Sequence, residues 1–292
     1  MMKRLLLKIV MPLWRELSYI KLVICMLFSR GKLDSSASDN AYYPLMCYLA
    51  SKNAHVFRSF KRSRIYREIL EHVSRKQGND YLTCILKSYV TPPDFWRKIQ
   101  LNDKYGNPIT FDYSINDEVI KLSPTTLRYT KVLCDIVSMF DTKAIKSVAE
   151  IGVGYGGQCR LIRNWLPNVH YTLIDLPEVV GLAQTYLNHY DECRENICYI
   201  DGTHLYTEIN RDFVISNYAF SELRREVQDM YLEKVILRSK AGYMTWNDIG
   251  QKEFGAYTVE ELLAKIPGAT RINEEPLTFP NNCIIIWGNK VD

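Results

Sequence analysis

A glycine-rich segment near the middle of the chain has the spacing of a nucleotide-binding loop. Residues 147–157 read Ser-Val-Ala-Glu-Ile-Gly-Val-Gly-Tyr-Gly-Gly, with a G-x-G-x-x-G pattern at Gly152, Gly154 and Gly157. The apolar first half predicts a strand, and the residues after the loop predict a helix. Glycines between them allow a sharp turn and let a ligand approach the backbone. Two kinds of ligand use such a loop: dinucleotides, through a pyrophosphate at the helix N-terminus, and S-adenosylmethionine, which has no phosphate.

Three carboxylates at the ends of successive predicted strands favour S-adenosylmethionine. Glu150 lies just before the loop, where it would repel a pyrophosphate but attract a sulfonium-bearing amino acid. Asp175 ends the second strand and is predicted to accept hydrogen bonds from both ribose hydroxyls. Asp201 ends the third strand and is predicted to meet the adenine amino group. Because the carboxyl ends of parallel strands line one crevice, the three acids are expected in one site.

Other polar residues around the loop are candidates for cofactor binding. Arg128 precedes the first strand and suits the methionine carboxylate or an acidic acceptor, although a structural salt bridge explains it equally well. The remaining candidates follow the loop or the ends of later strands: Gly156, Gln158, Gly202 and Asn217. Alternatives from other classes are a NAD-binding oxidoreductase, which Glu150 and Asp201 disfavour, and a non-catalytic cofactor-binding protein, which the intact glycines and acids disfavour.

Four stretches of the chain resemble one enzyme family. Glu150–Cys159 is similar to motif I of class I S-adenosylmethionine-dependent methyltransferases, and more narrowly to bacterial sugar O-methyltransferases of surface-polysaccharide clusters. Asn102–Pro108, Ser123–Tyr129 and Ser216–Leu223 carry the same resemblance, which covers residues 84–290. It implies a Rossmann-like α/β sheet of seven strands with the last one antiparallel, S-adenosylmethionine as the cofactor, and a sugar or glycan acceptor that is nucleotide- or lipid-linked. Another small hydroxylated metabolite is the alternative acceptor.

Methyl transfer to a hydroxyl requires an in-line arrangement and benefits from a base near the acceptor. The base is expected after the fourth strand, where Glu222 is the only carboxylate and therefore the first candidate. A carboxylate there would also stabilise the start of the following helix. Asp248, at the end of the fifth strand, is the second candidate, and Tyr218 belongs to the same catalytic group. His204 is expected to be a polar loop residue. No dense His/Asp/Glu cluster predicts a metal, although Glu222 and Asp248 together would suit a divalent ion.

The elements that position these residues alternate from Ser147 onward between short β-rich runs and helices. This alternation predicts a parallel sheet with helices on both faces. The predicted strands are Ser147–Ile151, His170–Ile174, Ile197–Ile200, Phe213–Ser216, Gly242–Trp246, Thr270–Asn273 and Cys283–Trp287. The predicted helices include Gln158–Trp165, Pro177–His189, Leu223–Ser239 and Val259–Ile266. Three regions are expected: a basic, apolar arm (1–40), a mainly helical cap that supplies acceptor contacts (41–140) and the S-adenosylmethionine-binding domain (141–292).

Composition and charge narrow the choice of partners. The chain has 292 residues, 47% of them apolar, so it is able to bury a core and is not disordered. Residues 1–76 hold 15 basic and 5 acidic side chains, a balance that suits an acidic saccharide or a phosphate-bearing lipid. No helix-turn-helix, RNP motif or zinc finger predicts nucleic-acid binding. The eight cysteines include no C-x-x-C pair and predict buried free thiols in a reducing compartment.

The N-terminal arm has an amphipathic second half. One stripe at helical spacing consists of Leu13, Leu17, Ile20, Ile24 and Leu27. Charged residues and Pro12 interrupt the apolar run and no cleavage site follows, so neither a spanning helix nor a signal peptide is predicted. The helix is expected either to pack on the body of the protein or to lie on an anionic membrane. The predicted location is therefore the cytoplasm, with peripheral contact to the inner face of the membrane as the alternative.

Overall fold

A computed structural model describes residues 42–115 and 118–289, and the arm predicted for residues 1–40, with its amphipathic helix, lies outside them. The strands are β1 Phe111–Ile115, β2 Glu118–Leu122, β3 Ser147–Ile151, β4 His170–Asp175, β5 Ile197–Asp201, β6 Arg211–Asn217, β7 Ser239–Trp246, β8 Thr270–Asn273 and β9 Cys283–Trp287. The helices are α1 Tyr42–Lys52, α2 Ala54–Phe57, α3 Arg64–Ile69, α4 Arg75–Ser88, α5 Phe95–Gln100, α6 Pro124–Met139, α7 Gly157–Trp165, α8 Pro177–Leu187, α9 Arg225–Lys234, α10 Ile249–Phe254 and α11 Val259–Lys265. None of these described helices combines the length and apolarity needed to cross a membrane.

Seven strands form one sheet in the order β5-β4-β3-β6-β7-β9-β8. The pairings from β5 to β7 are parallel, whereas β9 runs antiparallel to both β7 and β8. The seven predicted strands and the antiparallel last strand are therefore confirmed. After β5 the chain crosses to the other side of β3 to form β6, so the carboxyl ends of β3 and β6 flank the crevice where ligands bind in such sheets.

Helices on both faces bury the sheet. The consecutive β3 residues Val148 and Ala149 belong to two separate hydrophobic cores, as expected for a strand whose side chains alternate between faces. One core includes residues of α1, α6, α7 and α8, and the other includes residues of α9 and α11. Strand β9, Cys-Ile-Ile-Ile-Trp, is buried along its whole length because it is a covered internal strand. The layered α/β architecture is thus the one predicted from the sequence.

Two elements, one ahead of the sheet in sequence and one between two of its strands, differ from the predictions. The region expected to be mainly helical also contains the antiparallel β1–β2 hairpin, in which Tyr113 and Ile115 are buried while Asp112 and Ser114 are exposed. This period of two is typical of a half-buried strand. The helix predicted over residues 223–239 is shorter: α9 ends at Lys234, a 3-10 turn follows, and β7 already begins at Ser239.

Two of the resembling segments meet just before the sheet. Asp103 accepts hydrogen bonds from the backbone N–H and the hydroxyl of Ser123, at 2.6 and 2.8 Å. Ser123 in turn caps α6 by accepting a hydrogen bond from the N–H of Thr126. Helix α6 then carries Tyr129 against the start of α7, where a Cβ atom at Gly157 would lie 2.7 Å from the Tyr129 ring. The cap region therefore contacts the glycine loop through α6.

Candidate active site

The glycine loop turns sharply at the carboxyl end of β3. Gly152, Gly154 and Gly156 have positive φ angles of 78°, 52° and 83°, which residues with a side chain rarely adopt. A Cβ atom at Gly152 would lie only 1.9 Å from the Cβ of Ala219, which follows β6. Glycine at position 152 is therefore needed both for the turn and for the close approach of two chain segments.

Asp175, at the end of β4, holds the glycine loop through its carboxylate. One oxygen accepts hydrogen bonds from the backbone N–H of Val153 at 2.7 Å and of Gly154 at 3.3 Å. The other oxygen accepts from the N–H of Leu176 at 2.7 Å. Burial raises the pKa of Asp175 to about 6, although these three donors favour its ionised form. Two carboxylate oxygens offer about four acceptor positions, and the three N–H groups use three of them, so about one remains for a ribose hydroxyl.

Glu150 lies beneath the loop rather than at its surface. Its carboxylate is only 2% exposed and accepts a hydrogen bond of 2.6 Å from the hydroxyl of Tyr171. Burial raises the pKa of Glu150 to about 8, and the hydrogen bond from Tyr171 opposes that change only in part. The side chain predicted to attract the amino acid part of the cofactor is thus already engaged within the protein.

Asp201 and Gly202 lie beside Asp175, because Asp175 and Asp201 are register partners in the β4–β5 pairing. The exposed Asp201 carboxylate accepts hydrogen bonds from the N–H and the hydroxyl of Thr203, at 2.9 and 2.6 Å. The N–H of Gly202 donates to the carbonyl of Asp175 at 2.8 Å. A Cβ atom at Gly202 would lie 2.2 Å from the hydroxyl of Tyr231. The sheet thus brings the two aspartates to one edge of the crevice, as predicted.

The remaining cofactor candidates connect α6, α7 and β6. Gln158 donates to the carbonyl of Tyr129 at 3.3 Å, and Asn217 donates to the side-chain oxygen of Gln158 at 3.4 Å. Arg128 donates through one terminal nitrogen to the carbonyl of Leu70 at 3.3 Å. Gln158 and Asn217 are therefore linked to each other, and Arg128 and Asn217 line one pocket.

Several buried polar atoms on α6, on β6 and in the turn after α3 have no hydrogen-bond partner among the described residues. They are the Nε donor of Arg128, the side-chain oxygen of Asn217 and one carboxylate oxygen of Glu71. Buried polar groups are normally paired, so these unpaired donors and acceptors are able to bind a polar ligand. The amino acid end of S-adenosylmethionine carries a carboxylate and an ammonium group. The residues present therefore fit this cofactor.

The two carboxylates predicted as bases are engaged elsewhere. Glu222, in a 3-10 turn before α9, accepts a hydrogen bond of 2.8 Å from the side chain of Asn247. Asp248 forms an ion pair of 2.8 Å with Lys252, and that hydrogen bond lowers the pKa of Asp248. Neither residue lines the pocket that contains Asn217. His204 is exposed in a loop, and within the described ranges no three His, Cys, Asp or Glu side chains form a metal-binding group.

Tyr218, in contrast, lines a small pocket directly after β6, together with Tyr81, Arg128, Asn217 and Glu274. Tyr218 has a positive φ angle of 63°, and its N–H donates to the hydroxyl of Thr245 at 2.9 Å, so its direction is fixed. Its hydroxyl donates to the carboxylate of Glu274. Burial raises the pKa of the Tyr218 hydroxyl. A tyrosine that donates to a carboxylate is able to pass a proton from a hydroxyl acceptor to that carboxylate.

Sequence reasoning missed three residues of this site: Leu70, Glu71 and Glu274. Leu70 and Glu71 follow α3, far ahead of the glycine loop in sequence. Glu274 is 56 residues beyond Tyr218 and follows the strand β8. No spacing pattern marks any of them, because only the tertiary fold brings them to the crevice.

Residues 94–227 match the model of the O-methyltransferase domain, a little under half of the chain. The matched range runs from the start of α5 to the start of α9 and includes the glycine loop and its three acids. The match and the fold support S-adenosylmethionine-dependent O-methylation, and S-adenosylmethionine is the cofactor that the sequence predicts. The matched model describes the domain in general and names no acceptor.

The fold is similar to solved structures of low sequence identity. One is PigF with SAH, at 13% identity and a TM-score of 0.41, with 53% of this chain and 54% of that chain covered. Another is the mitomycin 7-O-methyltransferase MmcR, at 12% identity and a TM-score of 0.42, with 76% of this chain and 69% of that chain covered. A third is phosphoethanolamine N-methyltransferase 2 of Haemonchus contortus, at 13% identity and a TM-score of 0.40, with 50% of this chain and 39% of that chain covered. The chain thus spans about half the length of PigF. A search of curated proteins found no match.

Proposed function

We propose that this protein is an S-adenosylmethionine-dependent O-methyltransferase that methylates a sugar hydroxyl during the synthesis of a surface polysaccharide or glycolipid. The observation that carries the proposal is the set of unpartnered polar atoms on Arg128 and Asn217 beside the glycine loop. The matched O-methyltransferase domain supports the reaction type. The sugar acceptor rests on the resemblance of the sequence segments and on the chemistry of the pocket.

The chain's residues divide into those that hold the cofactor and those that hold the acceptor. When bound, S-adenosylmethionine supplies a methyl group on a sulfonium. Asp175 fixes the glycine loop and, in this proposal, also accepts from the ribose, while Asp201 and Gly202 border the adenine. Arg128 pairs with the carboxylate of the cofactor. Positioning of this kind lowers the barrier because the reacting atoms are aligned before the reaction begins.

The pocket after β6 suits a hydroxylated acceptor. Tyr81 and Tyr218 offer aromatic faces, and Glu274 offers an acceptor of hydrogen bonds. The pocket is too small to enclose a sugar ring, so in this proposal it takes a single hydroxyl of the acceptor while the ring lies outside it. We assign the proton of the acceptor hydroxyl to the Tyr218–Glu274 pair, with Glu222 and Asp248 as the earlier alternatives. With the cofactor bound, the acceptor oxygen would take the methyl group as the carbon–sulfur bond breaks and S-adenosylhomocysteine leaves, and the hydroxyl proton would pass to the Tyr218–Glu274 pair.

The experiment compares surface glycans of a strain that carries the gene with those of a strain that lacks it, by mass spectrometry. The proposal predicts that one glycan loses the mass of one methylene unit per methylated sugar and regains it on complementation. Complementation with an Arg128→Gln variant is the control and should fail. Glycans of unchanged mass, together with loss of a methyl group from another hydroxylated metabolite, would instead assign the acceptor to that metabolite.

A further inference from the structure

The turn after α3 lies directly on the glycine loop. If Gly154 carried a Cβ atom, that atom would be 2.7 Å from a methyl carbon of Leu70, so the Leu70 side chain covers this glycine. The carbonyl oxygen of Leu70 accepts hydrogen bonds from Arg128 at 3.3 Å and from the hydroxyl of Thr125 at 3.4 Å. Both donors belong to α6. The turn is therefore fixed to the same helix that supplies Arg128.

The next residue, Glu71, is an acid without an ion-pair partner in the described structure. One of its carboxylate oxygens is buried and has no hydrogen-bond partner. Burial raises the pKa of Glu71, and the positive charge of Lys61, a hydrogen bond with the Thr125 side chain and the positive charge of Arg128 oppose that change. Lys61 is itself engaged, since its ammonium donates to the carbonyl of Asn102 at 3.2 Å and lies 3.8 Å from the centre of the Tyr155 ring.

Arg128 donates to the carbonyl of Leu70 and Glu71 is the next residue, so the two opposite charges lie near one another without forming an ion pair. The described structure contains no ion pair between them, and each retains an unpartnered buried atom. Opposite charges in a buried region usually pair, because an unpaired buried charge is costly. A zwitterion placed between them would satisfy both at once. The amino acid end of S-adenosylmethionine is such a zwitterion.

We propose that the Leu70–Glu71 turn forms the roof of the cofactor site and that Glu71 binds the ammonium group of S-adenosylmethionine, opposite Arg128 on its carboxylate. This inference rests on the proposed function, because it requires that cofactor. It gives residues ahead of the matched domain a direct role in binding. It also reassigns the ammonium group from Glu150, whose carboxylate is buried beneath the loop and bonded to Tyr171.

The test measures the affinity of two ligands by isothermal titration calorimetry on the full chain. S-adenosylhomocysteine carries the amino acid end, whereas 5′-methylthioadenosine has the same adenosine and sulfur but lacks that end. The variants are Glu71→Gln, Glu150→Gln and Glu68→Gln, the last as a matched control, since Glu68 is exposed on α3 and pairs with Arg64. Loss of one charged hydrogen bond predicts about a 10- to 100-fold weaker binding of S-adenosylhomocysteine by Glu71→Gln.

The inference predicts that Glu71→Gln binds 5′-methylthioadenosine as the wild type does and that Glu68→Gln binds both ligands normally. Equal loss for both ligands in Glu71→Gln would overturn it, because Glu71 would then only support the turn. Unchanged binding of both would overturn it as well, and so would a selective loss confined to Glu150→Gln. If the wild type binds neither ligand, the proposed function itself fails.

Discussion

Asp175 reaches from the end of β4 to the glycine loop after β3 and accepts a hydrogen bond of 2.7 Å from the N–H of Val153. The same oxygen accepts from the N–H of Gly154. One carboxylate thereby shapes the loop and stands at the edge of the crevice where a ribose would bind. Its two roles are separable by mutation, because a structural role affects the protein without a ligand and a binding role affects the ligand.

We expect Asp175→Ala to weaken the binding of S-adenosylhomocysteine by about 1.5–3 kcal/mol, the contribution of hydrogen bonds to a charged group. The variant should also unfold at a lower urea concentration, because the two loop N–H groups lose their acceptor. Equilibrium dialysis with labelled ligand and urea unfolding measure the two effects. Normal affinity in a folded Asp175→Ala protein would contradict the ribose assignment.

We expect Gly152→Ala to destabilise the protein more than Gly255→Ala. Both glycines have positive φ angles, of 78° and 62°, so both variants lose about 1–2 kcal/mol to backbone strain. Only the Cβ at position 152 meets another atom, at 1.9 Å, whereas nothing lies within 4 Å of the Cβ at position 255. The overlap adds about 1–3 kcal/mol. Equal free energies of unfolding for the two variants would contradict the close approach of Gly152 and Ala219.

Glu150 makes a prediction about pH. Its pKa is about 8 in the folded chain and about 4.3 in an unfolded one, so the folded state binds the proton more tightly. Its contribution to stability is fully present below pH ~4 and is lost as the pH rises to ~8, by up to about 1.4 kcal/mol per pH unit. Between pH 6 and 8, Glu150→Gln should flatten the pH dependence of the unfolding free energy. An identical slope in the two proteins would contradict a neutral buried Glu150.

We expect Tyr218→Phe and Glu274→Gln to lower kcat by about 10²–10⁴-fold while leaving the affinity for S-adenosylhomocysteine unchanged, because both act on the proton of the acceptor. Release of S-adenosylhomocysteine with a glycan extract as acceptor measures the rate. Glu222→Gln and Asp248→Asn are the controls and should retain most activity. A larger loss at position 222 than at 218 and 274 would return the base to Glu222.

The sheet was predictable from the sequence because each strand is a short apolar run whose length and ends are visible. The β3 strand and the turn after it were predictable for the same reason, since the glycines and the acid at the turn are visible in the sequence. The β1–β2 hairpin was missed although Phe111–Ile115 alternates in polarity, because the surrounding region is rich in helices. Local sequence patterns therefore predict most secondary-structure elements, including the strand ends where ligands bind.

The side-chain partners in the site were less predictable. Glu150 was expected to face the cofactor, but it is a buried residue that bonds Tyr171 across the β3–β4 pairing. Leu70 and Glu274 join the site through contacts between elements that are distant in sequence, with Leu70 on Gly154 and Glu274 on Tyr218. Such contacts depend on how the helices of the cap pack on the sheet. The spacing of apolar residues in the sequence does not show this packing.

The central claim is that this crevice binds S-adenosylmethionine. The most direct measurement is a calorimetric titration of the wild-type chain with S-adenosylhomocysteine and, separately, with NAD. The account predicts saturable one-to-one binding of S-adenosylhomocysteine and no heat of binding for NAD. Binding of NAD with no binding of S-adenosylhomocysteine would contradict it and would assign the glycine loop to a dinucleotide.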